Sequence, residues 1–232
     1  TRSACTCATR AIRSWETNLH LPQYGHRYDE TDDGLHLVTV GYKPSWLNPD
    51  THIEGNRFKS MPHAVFDNIR LASEEMGTGL YPWPEALYMN DDFFCLDPVG
   101  AVLPVRRNVT LAEHIAKFPG NPDLWWPKSL RLTASWLAEA GFPHPDSFEV
   151  HRPLPASPRA MFDTLARWDL ASGDAVPQWR TMYGVINEVH AYPVTDAKLG
   201  PKSPGVGTPW VSTSDSSWRR YALPIKRRFQ KP

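Results

Sequence analysis

Cysteine is scarce: Cys5, Cys7 and Cys95 are the only three, an odd number that excludes a disulfide-stapled secreted scaffold. Cys5 and Cys7 have no second Cys pair nearby, so the spacing does not point to a structural zinc. No apolar run reaches the length of a membrane span, and none resembles a signal-peptide core. A soluble, cytoplasmic chain without a membrane span is the expectation. Charge of one sign is also missing. Lys plus Arg and Asp plus Glu both number 25, which argues against a protein whose affinity comes mainly from neutralising nucleic-acid phosphates. There is no Gly-x-Gly-x-x-Gly fingerprint, no phosphate-binding Gly-Lys-Ser/Thr loop, no His-Glu-x-x-His and no Gly-x-Ser-x-Gly. Dinucleotide oxidoreductases, nucleoside triphosphatases of the common type and serine hydrolases are thereby disfavoured.

What the chain has in quantity is tryptophan and proline, ten and 23 in 232 residues. They indicate structured loops and stacking surfaces rather than idealised helices. Apolar residues make up 41% and charged residues 22%, ordinary for a chain with one substantial core. Three-and-four spacing predicts helices over residues 7–19 and 60–75, the second with Val65, Phe66, Ile69 and Ala72 on one side. Leu35 to Val40 reads as a strand, and a buried strand is predicted to start at Ala86 after a Pro-Trp-Pro turn. Thr110 and Glu113 form a capping-box start for a helix to about Phe118. Helices follow over 127–140 with Gly141 as stop, over 157–173 and over 176–189. A last strand is expected near Trp210, then a basic helix over 216–229 broken at Pro224. The alternation predicts one α/β domain over 1–232, with an α/β half (1–105) and a mostly helical half (106–232).

The chemistry centres on Tyr88-Met89-Asn90-Asp91-Asp92-Phe93-Phe94. Two adjacent carboxylates between apolar runs are costly unless something positive meets them. Ligands in open α/β sheets sit off the carboxyl ends of strands. Asp91 and Asp92 therefore read as hard oxygen ligands for Mg2+ or Mn2+, with a diphosphate completing the shell. A polar turn is the plainer alternative.

Leu37 to Asn48, ending Pro44-Ser45-Trp46-Leu47-Asn48, resembles the strand and loop of the Stealth family of sugar-phosphate transferases. Tyr88 to Phe94 resembles that family's Asn-Asp-Asp block, and His151-Arg152-Pro153 its His-x-Pro element. Arg180 in Gln178-Trp179-Arg180 falls near its Arg-bearing segment, and Ala11 to Ser14 is similar to the helix before the Trp-Leu-Asn loop. The blocks occur in the family's order and span most of the chain. The family's opening Asp-rich, Trp-containing block has no match before Thr9.

The resemblance implies a glycosyltransferase-A-like fold, with a mixed sheet and flanking helices, and transfer of a sugar or sugar phosphate from a nucleotide-sugar donor. The acceptor is undefined: a glycan, a protein or a modified nucleic acid. Short members resemble bacteriophage glycosyltransferases, which would place the protein in a host cytoplasm. In this reading Asp92 is catalytic and, with Asp91, holds the metal that neutralises the departing phosphate. His151 serves as base or phosphate contact, and Arg180 grips the diphosphate. Asn56, Arg57 and Asn68 frame the sugar, Asn90 touches it or orients a carboxylate, and Trp46 stacks on a ring or anchors its loop. Two other classes remain in play. One is a metal-dependent phosphoesterase or nuclease using the same acids; the other is a non-catalytic carbohydrate-binding or virion-associated module.

Overall fold

The computed structural model describes residues 37–41, 49–56, 60–78, 84–90, 93–96, 101–120, 124–171, 173–196, 198–199, 209–213 and 215–228. The helix expected over 7–19 lies outside these residues. Among them the strands are β1 (Val38–Val40), β2 (Thr51–Ile53), β3 (Ala86–Tyr88), β4 (Phe93–Cys95), β5 (Val105–Arg107), β6 (Leu154–Ala156), β7 (Tyr192–Val194) and β8 (Trp210–Ser212). The helices are α1 (Met61–Thr78), α2 (Leu111–Ala116), α3 (Trp125–Glu139), α4 (Pro158–Leu165), α5 (Trp179–Ile186) and α6 (Asp215–Arg228). The chain is mixed α/β, as expected, but its described strands form four two-stranded pairs. β1/β2 and β5/β7 are parallel, while β3/β6 and β4/β8 are antiparallel.

Beside the strand expected near Trp210, the second half carries two that the sequence did not announce, β6 and β7. β6, β7 and β8 lie in it, and two of the pairs join strands from before residue 105 to strands beyond it. The strand expected from Ala86 is β3, and a further buried strand, β4, follows it with a different partner.

Three apolar clusters form the core among the described residues. Phe66 of α1, Tyr88, Leu154, Met161, Leu165 and Met182 pack α1, α4 and α5 around β3/β6. Phe94, Cys95, Val211, Tyr221 and Ile225 seat α6 on β4/β8. Leu111, Leu130, Leu137, Phe148 and Val185 join α2, α3 and α5. Each fully buried Leu, Ile or Phe contributes roughly 1.5–3 kcal/mol. In α1 the stripe is displaced from the reading: Phe66 is buried, but Val65 faces outward at 40% exposure.

Local chemistry explains the ends. Thr110 accepts from the Glu113 amide and Glu113 returns a bond to the Thr110 amide, the capping box foreseen. Gly141 adopts φ +96° just past α3, a left-handed stop that suits glycine. α4 stops at Leu165, well short of residue 173, and α5 occupies only the middle of the 176–189 window. α6 runs through Pro224 instead of breaking. Tyr221 and Ile225, one turn apart, are both buried against β8, and that packing offsets the cost of about 3 kcal/mol for proline in a helix interior.

Candidate functional site

The parallel pair β5/β7 aligns Arg107 with Val194, so the residue two beyond the strand, Asp196, comes beside the Arg107 guanidinium. Arg107 Nη2 donates to Asp196 at 2.5 Å, and its Nε donates to the Glu149 carbonyl at 2.6 Å. The buried segment 147–150 passes next to this pair. Its Ser147 carbonyl accepts the Arg107 amide, and its Phe148 amide donates to the Thr181 hydroxyl of α5. That anchoring places His151.

His151 is bound to Asp196 twice over. Its backbone amide donates to Asp196 Oδ1 at 2.8 Å, and its Nδ1 lies 2.9 Å from both carboxylate oxygens. A carboxylate only accepts, so Nδ1 carries a proton, and in the neutral tautomer the lone pair falls on Nε2. Lys198 Nζ is 3.2 Å from that nitrogen. Burial alone would raise the Asp196 carboxyl, but the bonds and charge of His151, with Arg107, hold it well below the usual carboxylate range.

Arg180 enters from α5. This helix is buried on nearly every side, so Arg180 is 4% exposed and does not lie on the solvated face of an amphipathic helix. Its guanidinium carbon lies 4.5 Å from the Trp179 ring centroid and 5.4 Å from that of Phe93, and Nη1 donates to the Arg152 carbonyl at 2.7 Å. Phe93 also meets the His151 ring edge-on, at 6.4 Å between centroids. One phenyl ring thus joins the two residues singled out in the sequence. Glu149 completes the electrostatics. It accepts from the Thr181 amide and hydroxyl, and burial raises its carboxyl despite the opposing charge of Arg180. Burial likewise works against the charge of Arg152, which Asp196 supports. Four cations, Arg107, Arg152, Arg180 and Lys198, surround two carboxylates, one of them disfavoured as an anion. The site has a positive balance.

Other expected residues fall elsewhere or beyond view. Asp91, Asp92, Trp46 and Arg57 lie outside the described residues. The residues flanking Asp91 and Asp92 do not: the Phe93 amide donates to the Asn90 carbonyl at 3.2 Å, so half-buried Asn90 is bonded to a residue of the cluster. Asn56 and Asn68 gather at the carboxyl ends of β1 and β2. Asn56 donates to the buried Asp67 at 2.8 Å. The Asn68 amide packs on Gly41 and Gly55, where a Cβ would meet it at 2.9 and 2.6 Å. Among the described residues, Asn56 and Asn68 make no hydrogen bond to the His151 cluster. No three His, Cys, Asp or Glu side chains form a metal-binding group among the described residues.

Asp196, Arg107, Lys198 and Glu149 escaped the sequence reading. The one available signal was Asp196 at the end of a short extended run, Tyr192-Pro193-Val194-Thr195, the same strand-then-acid pattern as Asn90-Asp91-Asp92. No protein-family model matches the chain, and no curated protein matches it. Among the described residues, no helix is long and apolar enough to cross a membrane.

Proposed function

We propose that the protein transfers a sugar or sugar phosphate from a nucleotide-sugar donor to an acceptor. The observation that carries this reading is the His151–Asp196 pair within a cationic surround that includes Arg180. A carboxylate fixes the imidazole tautomer, leaving Nε2 to accept a proton from an acceptor hydroxyl while Lys198 swings aside. The arginines offset negative charge on a bound diphosphate. Arg180, fixed between Trp179 and Phe93, is preorganised for that task. The ordered sequence blocks support the same class, a Stealth-like transferase with a glycosyltransferase-A-like fold. Asp91 and Asp92 would hold Mg2+ or Mn2+, which when bound supplies Lewis-acid stabilisation of the leaving phosphate.

The test is calorimetric titration of a panel of nucleotide sugars with and without Mn2+, followed by assay of released nucleotide. Metal-dependent binding of one donor, with nucleotide release that depends on His151, supports the proposal. Sugar binding indifferent to metal and nucleotide would point to a carbohydrate-binding module. Cleavage of phosphate esters without transfer would point to a phosphoesterase.

A further inference from the structure

The first turns of α1 and α3 and the segment 174–176 enclose a second concavity of about 360 Å3, which shares no residue with the His151 cluster. Two hydrogen-bonded devices fix its shape. His63 bridges Ser60 Oγ at 2.6 Å and the Gly173 carbonyl at 3.1 Å, tying α1 to the chain before the pocket. Ser129 donates to the Val176 carbonyl and accepts from Gln178 Nε2 at 2.7 Å, closing the floor. Trp125 stands on the wall, 49% exposed, with its ring held edge-to-face on Trp126 at 5.3 Å. Lys128 and Asp174, both exposed, supply one charge of each sign to the lining, and Met61 and Val176 supply apolar surface.

We propose that this pocket binds a pyranose ring of a glycan. A large half-exposed indole costs solvation unless something covers it, and a sugar's C–H face does so by stacking. A carboxylate that accepts and an ammonium that donates suit a ring of hydroxyls, each of which does both. A lipid tail would leave both charges unpaired at its side. A phosphate would meet the Asp174 carboxylate, and no arginine lines the pocket among the described residues. The volume lies at the small end of ligand sites, roughly 300–1,000 Å3, which fits a monosaccharide unit and not a nucleotide sugar.

The experiment is saturation-transfer NMR on the full chain with methyl glycosides of glucose, galactose and mannose, N-acetylglucosamine and glucuronic acid. At least one sugar is expected to receive saturation. Trp125→Ala is expected to weaken its binding by about tenfold or more, with Trp125→Phe retaining most of it and His151→Ala leaving it unchanged. Absence of saturation across the panel, equal binding by Trp125→Ala and the wild type, or loss of binding in His151→Ala each overturns the proposal. The two readings fail separately. Sugar binding at Trp125 in a protein that consumes no nucleotide sugar removes the transferase and keeps the pocket, while turnover without binding at Trp125 does the reverse.

Discussion

His151 Nδ1 lies 2.9 Å from both carboxylate oxygens of Asp196, a residue 45 positions further along the chain. The contact fixes which imidazole nitrogen carries the proton, so on the proposed transfer reading its loss should damage chemistry more than binding. Asp196→Asn is expected to lower turnover of the nucleotide-sugar donor by a factor on the order of 10²–10⁴ while changing donor affinity little. Steady-state kinetics with the donor identified by titration would check this. A drop confined to KM would contradict an orienting role.

Asp92→Ala addresses the metal. If Asp92 is a ligand, the variant should lose donor turnover and the Mn2+ dependence of donor binding, while its melting temperature stays within about 2 °C of wild type. Normal turnover by this variant would remove Asp92 from the site.

His114 provides a pH test of the fold. It is 2% exposed, its Nδ1 is 2.8 Å from the Ser147 hydroxyl, and burial, reinforced by the charges of Arg107 and Lys117, pushes it down to about 4. The unfolded chain takes up a proton near 6.5 and the folded one does not. Stability from this residue is therefore complete above 6.5 and is lost as pH falls from there toward 4, by an amount on the order of 2–3 kcal/mol. Denaturation midpoints at pH 7 and pH 5 should fall accordingly in the wild type, and the difference should shrink in His114→Gln.

Gly77 tests the packing of α1 on α4. A Cβ there would meet the Arg159 amide nitrogen at 2.6 Å and its Cα at 2.7 Å, backbone atoms that cannot turn aside. Gly77→Ala should destabilise by about 1–3 kcal/mol, lowering the melting temperature by roughly 2–10 °C. Gly120→Ala, with nothing within 4 Å, is the control and should move it little. Thermal unfolding of both variants separates a steric effect from a general one.

Elements with a strong local signature were readable from sequence. The Thr110–Glu113 capping box, the Gly141 stop and the long helices α1 and α3 each advertise themselves within a few residues. The three-residue strands did not, since three positions are too few to show alternation. Pro155 and Pro193 concealed β6 and β7 further by reading as breakers. In two-stranded pairs each strand is an edge, where proline is tolerated. The site divides the same way. His151 and Arg180 sit in recognisable sequence surroundings, whereas Asp196, Arg107 and Glu149 join them through strand pairing and burial that no local window contains. The burial of Arg180 was not legible either, because a short helix does not show in its own sequence which other elements cover it.

The parallel partnership of β5 with β7 has a consequence in time. Arg107 and the acid that neutralises it are 89 residues apart. At about 5–20 residues per second, a ribosome needs roughly 5–18 seconds to travel between them. Throughout that interval the emerging polypeptide carries an arginine without its counter-charge and a strand without its mate. The imidazole at position 151 is made well before the carboxylate that decides its tautomer, so that hydrogen-bonded pair cannot form until synthesis has passed residue 196.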